Sequence, residues 1–213
     1  DYVTQEHPRG IAHALMLAGQ FIAGEPVALV LGDNIFYGQG LQDKLRLATS
    51  RDSGATIYCY QVKDPERYGV VEFDERQCPK SIIEKPANPK SNQAVTGLYF
   101  YDERAMEFAG QLQPSDRGEL EITDLNRIYL ERGMLHVEKF GRGFAWLDTG
   151  TETSLLQAAN FVETVQERQG LRIACIEEVA YRMGYIDRQQ VAKLAAPMAS
   201  SYGDYLRHLV ESP

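Results

Sequence analysis

The stretch Pro26-Val27-Ala28-Leu29-Val30-Leu31-Gly32-Asp33-Asn34 constrains this chain more than any other. Five consecutive apolar residues stand between a proline and a glycine. So short a run between two such residues predicts a strand covered on both faces, as in a parallel sheet. A carboxylate and an amide follow the glycine at once. In open α/β sheets, ligands bind beyond the carboxyl ends of the strands, so Asp33 and Asn34 sit where chemistry is usually done. The same pair also suits a strand-end Asx turn or a helix N-cap.

Around that strand the pattern alternates between helical and extended spacing. Residues 2–5 read as the end of a strand already under way. Ile11, Leu15, Ala18 and Ile22 recur at helical spacing before Gly24, which predicts a helix over 11–22. Strand, helix and strand would make a parallel, right-handed βαβ unit. Downstream, helices are predicted over 41–50, 103–112, 122–132 and 151–169, with short ones over 187–194 and 202–209. Strands are predicted over 55–62, 70–73, 81–85, 95–101, 135–140 and 144–148. Gly97 inside the fifth apolar strand marks a close backbone approach. The chain opens at Asp1 without a methionine, so it reads as a piece of a longer protein.

At 213 residues, with 44% apolar and 24% charged side chains, the chain can build one sizeable α/β core. The net charge of −8, without a Lys/Arg block, argues against a nucleic-acid polymer as partner. No apolar run approaches the roughly 20 residues of a membrane span. Cys59, Cys78 and Cys175 lie far apart and form no C-x-x-C, which suits a reducing cytoplasm and argues against a disulfide framework or a zinc site. His7, His13, His136 and His208 make no metal-ligand spacing and read as surface or packing residues.

Asp33 and Asp148 each end an apolar strand. On neighbouring parallel strands their carboxylates would converge. Two carboxylates with phosphate oxygens and water make a magnesium site; a carboxylate pair can also do acid–base chemistry, and an aspartate there can merely cap a helix. Glu84-Lys85-Pro86 closes a strand with both charges, either as a surface ion pair or as a site. Adjacent strand residues point opposite ways, so both can face one pocket only if Pro86 breaks the pleat. The segments 67–69 and 117–124 read as polar loops.

Taken together, six stretches resemble the bacterial glucose-1-phosphate thymidylyltransferases of the sugar nucleotidyltransferase family. They are LVLGDNIFYG (29–38), DPERYGVVEFD (64–74), EKP (84–86), SNQAVTGLYFYD (91–102), RGELEITDLNRIYLERG (117–133) and GRGFAWLDTGT (141–151). The resemblance implies a Rossmann-like, mostly parallel sheet flanked by helices, the nucleotide-diphospho-sugar transferase fold. A core over 1–150 would be followed by a helical assembly region over 151–213 packed on the same domain. It implies an enzyme joining dTTP and glucose 1-phosphate into dTDP-glucose and pyrophosphate, towards dTDP-L-rhamnose. By matching position, Asp33 and Asp148 would hold Mg2+, with Asn34 beside the metal and nucleotide sugar. Gln5 and Gly10 would hold the thymine edge. Gly69, Glu84 and Val95 would line the sugar pocket, and Lys85 would meet the sugar phosphate. A homotetramer is implied as well.

One departure stands out. The family's amino-terminal glycine-rich loop, with its arginine and a downstream lysine, has no counterpart in these residues. The 213 residues alone are therefore expected to be poorly active. A non-catalytic binding or oligomerising member, or an enzyme using another base or hexose 1-phosphate, are the alternatives.

Overall fold

The computed structural model describes residues 1–211. They divide into two compact units, Asp1–Leu147 and a second that begins at Asp148. In chain order the first unit contains α1 (Ile11–Leu17), α2 (Gly19–Ile22), β1 (Val27–Val30), β2 (Asn34–Tyr37), α3 (Leu41–Thr49) and β3 (Ala55–Gln61). A 3-10 turn at Pro65–Arg67 leads to β4 (Gly69–Phe73), β5 (Pro79–Glu84) and β6 (Gln93–Tyr101). Then come α4 (Ala105–Ala109), α5 (Ile122–Glu131), β7 (Leu135–Phe140) and β8 (Ala145–Asp148), whose last residue opens the second unit.

The longest strand, β6, organises the sheet. One of its edges carries β3, and β3 in turn pairs with β7, giving the order β5-β4-β6-β3-β7. Its other neighbours are β4, which meets it at Val70↔Ala94, and β1, which runs from Val27↔Tyr101 to Val30↔Leu98. These ladders are antiparallel, and β3–β7 is parallel. The α/β class is as expected, but the sheet is mixed. Short turns account for part of the difference, since antiparallel neighbours need no crossover helix. Between β4 and β5, Asp74 Oδ1 accepts from the N–H groups of Arg76 and Cys78 and closes such a turn.

The organising strand departs most from expectation. β1 is antiparallel to β6, and only alternate residues are covered. Val27 and Leu29 pack on the main core, whereas Ala28 is exposed and Val30 is 56% exposed. The physical reason is that β1 pairs with β6 alone among the described residues, so one face and one edge lack cover. Residues 2–5 form no strand and Tyr2 is fully exposed; the expected parallel βαβ unit is therefore absent from the described residues. The predicted helix over 11–22 breaks at Ala18 into α1 and α2. The predicted 103–112 helix shortens to α4; at its start Asp102 Oδ1 accepts from the Arg104 N–H and holds that residue in a turn, and at its end Gly110 is the C-cap. β2 escapes a pattern reading because its four residues lie between two glycines.

Two apolar clusters hold the first unit. Ile57, Tyr99, Phe108, Leu125 and Tyr129 centre the larger one, between the sheet and helices α1, α4 and α5. Ala48, Tyr58, Leu98 and Phe140 form the other, with Tyr58 and Phe140 stacked at 5.0 Å.

The second unit is helical: α6 (Glu152–Gln169), α7 (Ile176–Arg182), α8 (Arg188–Ala195) and α9 (Ser201–Glu211). Thr151 and Ser154 close a reciprocal cap on α6, and Asp187 and Gln190 do the same for α8. Such caps satisfy N–H groups that a helix start leaves unpaired. Cys175, Val191, Ala195, Leu206 and Val210 make this unit's core. Among the described residues no helix is long and apolar enough to cross a membrane.

Candidate functional site

Asn34 ties the strand ends together. Its Oδ1 accepts from Gly97 N at 2.9 Å and from Trp146 Nε1 at 2.6 Å. Its Nδ2 donates to Asp33 Oδ1 at 2.8 Å. An amide offers acceptor and donor at once, and here it joins the segment after β1 to β6 and β8. A Cβ on Gly97 would lie 2.7 Å from Asn34 Oδ1, which is the close approach read from the sequence.

Asp33 is exposed, and its carboxylate stands beside that amide. Asp148 is half-buried, and its Oδ1 accepts from the Gly150 N–H at 2.8 Å. The two do not end neighbouring parallel strands, since β8 pairs with β2 and β1 pairs with β6. Among the described residues no group of three or more His, Cys, Asp or Glu is placed to hold a metal ion. Mg2+ does not require such a cage. It keeps several waters and takes one or two carboxylates, so an exposed hard oxygen donor such as Asp33 fits it.

The sugar-pocket candidates converge. Gly69 faces Glu84 directly in the β4–β5 ladder. A Cβ on Gly69 would meet Thr123 Oγ1 at 2.7 Å, Glu84 Oε2 at 3.3 Å and Val95 Cβ at 3.8 Å. Gly69, Glu84 and Val95 thus share one spot, with no room for a side chain at Gly69. Thr123 Oγ1 donates to Glu84 Oε2 at 2.5 Å. Arg117 Nη2 stands 3.5 Å from Glu84 Oε1, while its guanidinium is held chiefly by Glu121. Burial pushes the Glu84 carboxyl above its ordinary value and the Glu121 charge adds to this; Thr123, Lys85 and Arg117 pull it back. The Tyr99 phenol is raised by burial and then by the charges of Glu84 and Asp33, so both carboxylates act on one buried ring.

Lys85 settles the pleat problem. It lies one residue past β5 at φ 40, and its N–H donates to Tyr68 O at 3.0 Å. A left-handed residue other than glycine costs about 1–2 kcal/mol. This one breaks the alternation ahead of Pro86, so Glu84 and Lys85 need not point to opposite faces.

On the nucleotide side, Gln5 Nε2 donates to Gly10 O at 3.1 Å and contacts His13 Nδ1 at 2.8 Å. Gly10 has φ 94 and ψ 164, and a Cβ there would lie 2.3 Å from Leu120 O; only glycine suits both the dihedrals and the space. Leu120 N donates to Arg9 O at 2.8 Å, and Ala12 N donates to Leu120 O at 3.2 Å. The Gln5–Gly10 segment is therefore stitched to the loop that carries Arg117 and Glu121.

Thr123, Arg117, Trp146 and His13 escaped the reading by residue type. The 117–124 run read as polar loops, yet Glu121 and Thr123 are buried. A cavity of about 270 Å³ bounded by Val27, Arg51, Phe100 and Asp102 contains none of the candidate residues.

Known proteins share the sequence and the fold of this chain. A family model described as nucleotidyl transferase matches residues 1–165. A glucose-1-phosphate thymidylyltransferase of Xanthomonas campestris pv. campestris (strain B100) is 56% identical over 99% of this chain and 72% of its own length. That of Neisseria meningitidis serogroup A is also 56% identical, over 99% of this chain and 73% of its own. A crystallised Bacillus anthracis protein assigned as a glucose-1-phosphate thymidylyltransferase, in complex with sucrose, superposes with TM-score 0.68 at 40% identity. That superposition covers 76% of this chain and 64% of the other. UDP-glucose pyrophosphorylase complexed with UDP-glucose, 23% identical with TM-score 0.68 over 77% of this chain and 66% of its own, shares the fold. The chain belongs to the nucleotidyl transferase family, among its glucose-1-phosphate thymidylyltransferases.

Proposed function

We propose that this chain joins dTTP to α-D-glucose 1-phosphate, forming dTDP-glucose and releasing pyrophosphate. A sugar phosphate oxygen attacks the α-phosphorus in line; the new O–P bond forms as the bond to the β-phosphate oxygen breaks. Little covalent work falls to the protein, so positioning and charge carry the rate. The observation behind this reading is the setting of Glu84. It is a half-buried carboxylate with one oxygen engaged by Thr123, and it is framed by Gly69 and Val95. A carboxylate so placed accepts from sugar hydroxyls, while Lys85, just past it, supplies a point charge for the sugar phosphate. Arg117 is a second cation for that end. Gln5 and Gly10 are proposed to hold the thymine edge, and Asn34 the nucleotide sugar. Asp33 and Asp148 are each proposed as Mg2+ ligands; when bound, the ion would neutralise phosphate charge. The unpaired state of Cys59, Cys78 and Cys175 supports a reducing cytoplasm as the setting.

Assembly is proposed to use the second unit. On α7, Ile176, Val179 and Met183 recur at helical spacing and are 73%, 55% and 48% exposed. So apolar a face suits a second copy of the chain within a tetramer.

The test is Glu84→Gln in the full-length gene product. KM for glucose 1-phosphate should rise at least ~10-fold, the size of a lost charged hydrogen bond, with KM for dTTP nearly unchanged. Equal weakening of both substrates would overturn the placement of the sugar at Glu84.

A further inference from the structure

We propose that His13 orients the Gln5 side chain and thereby sets selectivity for a base with a protonated N3, thymine rather than cytosine; this rests on the reading of Gln5 as a base contact. The number of donors on the Gln5 amide fixes which end faces each partner. An amide nitrogen carries two hydrogens, and an amide oxygen only accepts. Gly10 O, a carbonyl, can only accept, so the 3.1 Å contact identifies the Nε2 end of Gln5. The second Nε2 hydrogen goes to His13 Nδ1 at 2.8 Å. That ring nitrogen must therefore be the acceptor, with the imidazole proton on the other nitrogen. Both donors are then spent inside the protein.

What remains for a ligand is Oε1, which makes no hydrogen bond among the described residues. Thymine N3–H can donate to it. Cytosine N3 is itself an acceptor and would set lone pair against lone pair. Gly10 O alone leaves the amide one anchor about which to turn; His13 supplies the second. His13 is half-buried in the first turn of α1, so the helix that begins at Gly10 positions both anchors. A histidine that reads from the sequence as a surface or packing residue thus acquires a role through Gln5, as a positioning residue.

The experiment measures dTTP and dCTP binding by calorimetry, so it needs no turnover. It uses the full-length gene product and the variants His13→Leu, His13→Ala, His13→Asn and Gln5→Leu. The Leu and Ala variants should lower the preference for dTTP over dCTP about tenfold, as loss of one orienting hydrogen bond would. His13→Asn, whose Oδ1 sits as many bonds from the backbone as Nδ1, should retain it. Either of the Leu and Ala variants suffices should the other fail to fold. An unchanged preference in these variants, with Gln5→Leu abolishing it, would overturn the role of His13 alone. An unchanged preference in Gln5→Leu, or no dTTP binding by the parent protein, would overturn the base reading and the proposal together. Equal loss in the Asn and Leu variants would mark His13 as a packing residue and overturn the proposal.

Discussion

Asp33→Asn should lower turnover at least ~10²-fold, as expected when a charge that stabilises a transition state is removed, while the melting temperature stays put. Asp33 is exposed, so the exchange opens no cavity. The hydrogen bond from Asn34 Nδ2 needs only an oxygen acceptor, which an asparagine still offers. What disappears is the negative charge. A hard cation bound by few protein ligands loses much of its hold with it. Steady-state rates of the full-length gene product across a Mg2+ titration are the measurement. A near-full rate at limiting Mg2+ would contradict the assignment.

The largest effect on stability should come from Asp102→Ala, at about 3 kcal/mol. Asp102 follows β6 and is only 4% exposed. Its carboxylate accepts from Gly54 N at 2.5 Å, Tyr129 OH at 2.8 Å and Arg104 N at 3.1 Å, and it pairs with the Arg104 guanidinium. One side chain thus joins the start of β3, the entry to α4 and the last turn of α5. Truncation would strand the buried Tyr129 OH and the half-buried Gly54 N–H, the former costing about 1–3 kcal/mol and the latter less where water reaches it. Burial alone would raise the Asp102 carboxyl, but the bonds from Arg104, Gly54 and Tyr129 outweigh it and hold it below its ordinary value. Its contribution is therefore full above the unfolded value of about 4 and is lost as pH falls through the lower, folded value. Urea unfolding of both proteins at neutral pH checks the magnitude. A difference under ~1 kcal/mol, below the cost of even one stranded donor, would contradict it.

Much of this architecture is legible in the pattern of side chains. The strand over 135–140 coincides with β7, since its ends are marked by Gly133 and Gly141. Helix 151–169 is announced by Thr151 and Gly170, which cap it as expected. The direction of β1 is not legible, because an apolar run states how buried a strand could be but not which neighbour it has. The expectation of two covered faces failed at Ala28 and Val30 for that reason. The site divides similarly. Glu84 and Lys85 draw attention as charges at a strand end, but Lys85's left-handed turn, which removes the conflict between them, leaves no trace in composition. Thr123 and His13 act by touching Glu84 and Gln5, which lie 39 and 8 positions away. Partners brought together by the fold cannot be found by spacing along the chain.

The most direct measurement is pyrophosphate release by the full-length gene product with glucose 1-phosphate and Mg2+, comparing dTTP, UTP and dCTP. Gln5 should reject cytosine through N3. Release with dTTP should exceed that with UTP by ~10-fold or more, since the two differ by one methyl group, which is usually worth that much in a fitted pocket, and by the ribose 2′-hydroxyl. The expected result is a kcat/KM highest with dTTP, falling through UTP to dCTP. Equal or faster release with UTP would contradict the thymidylyl reading.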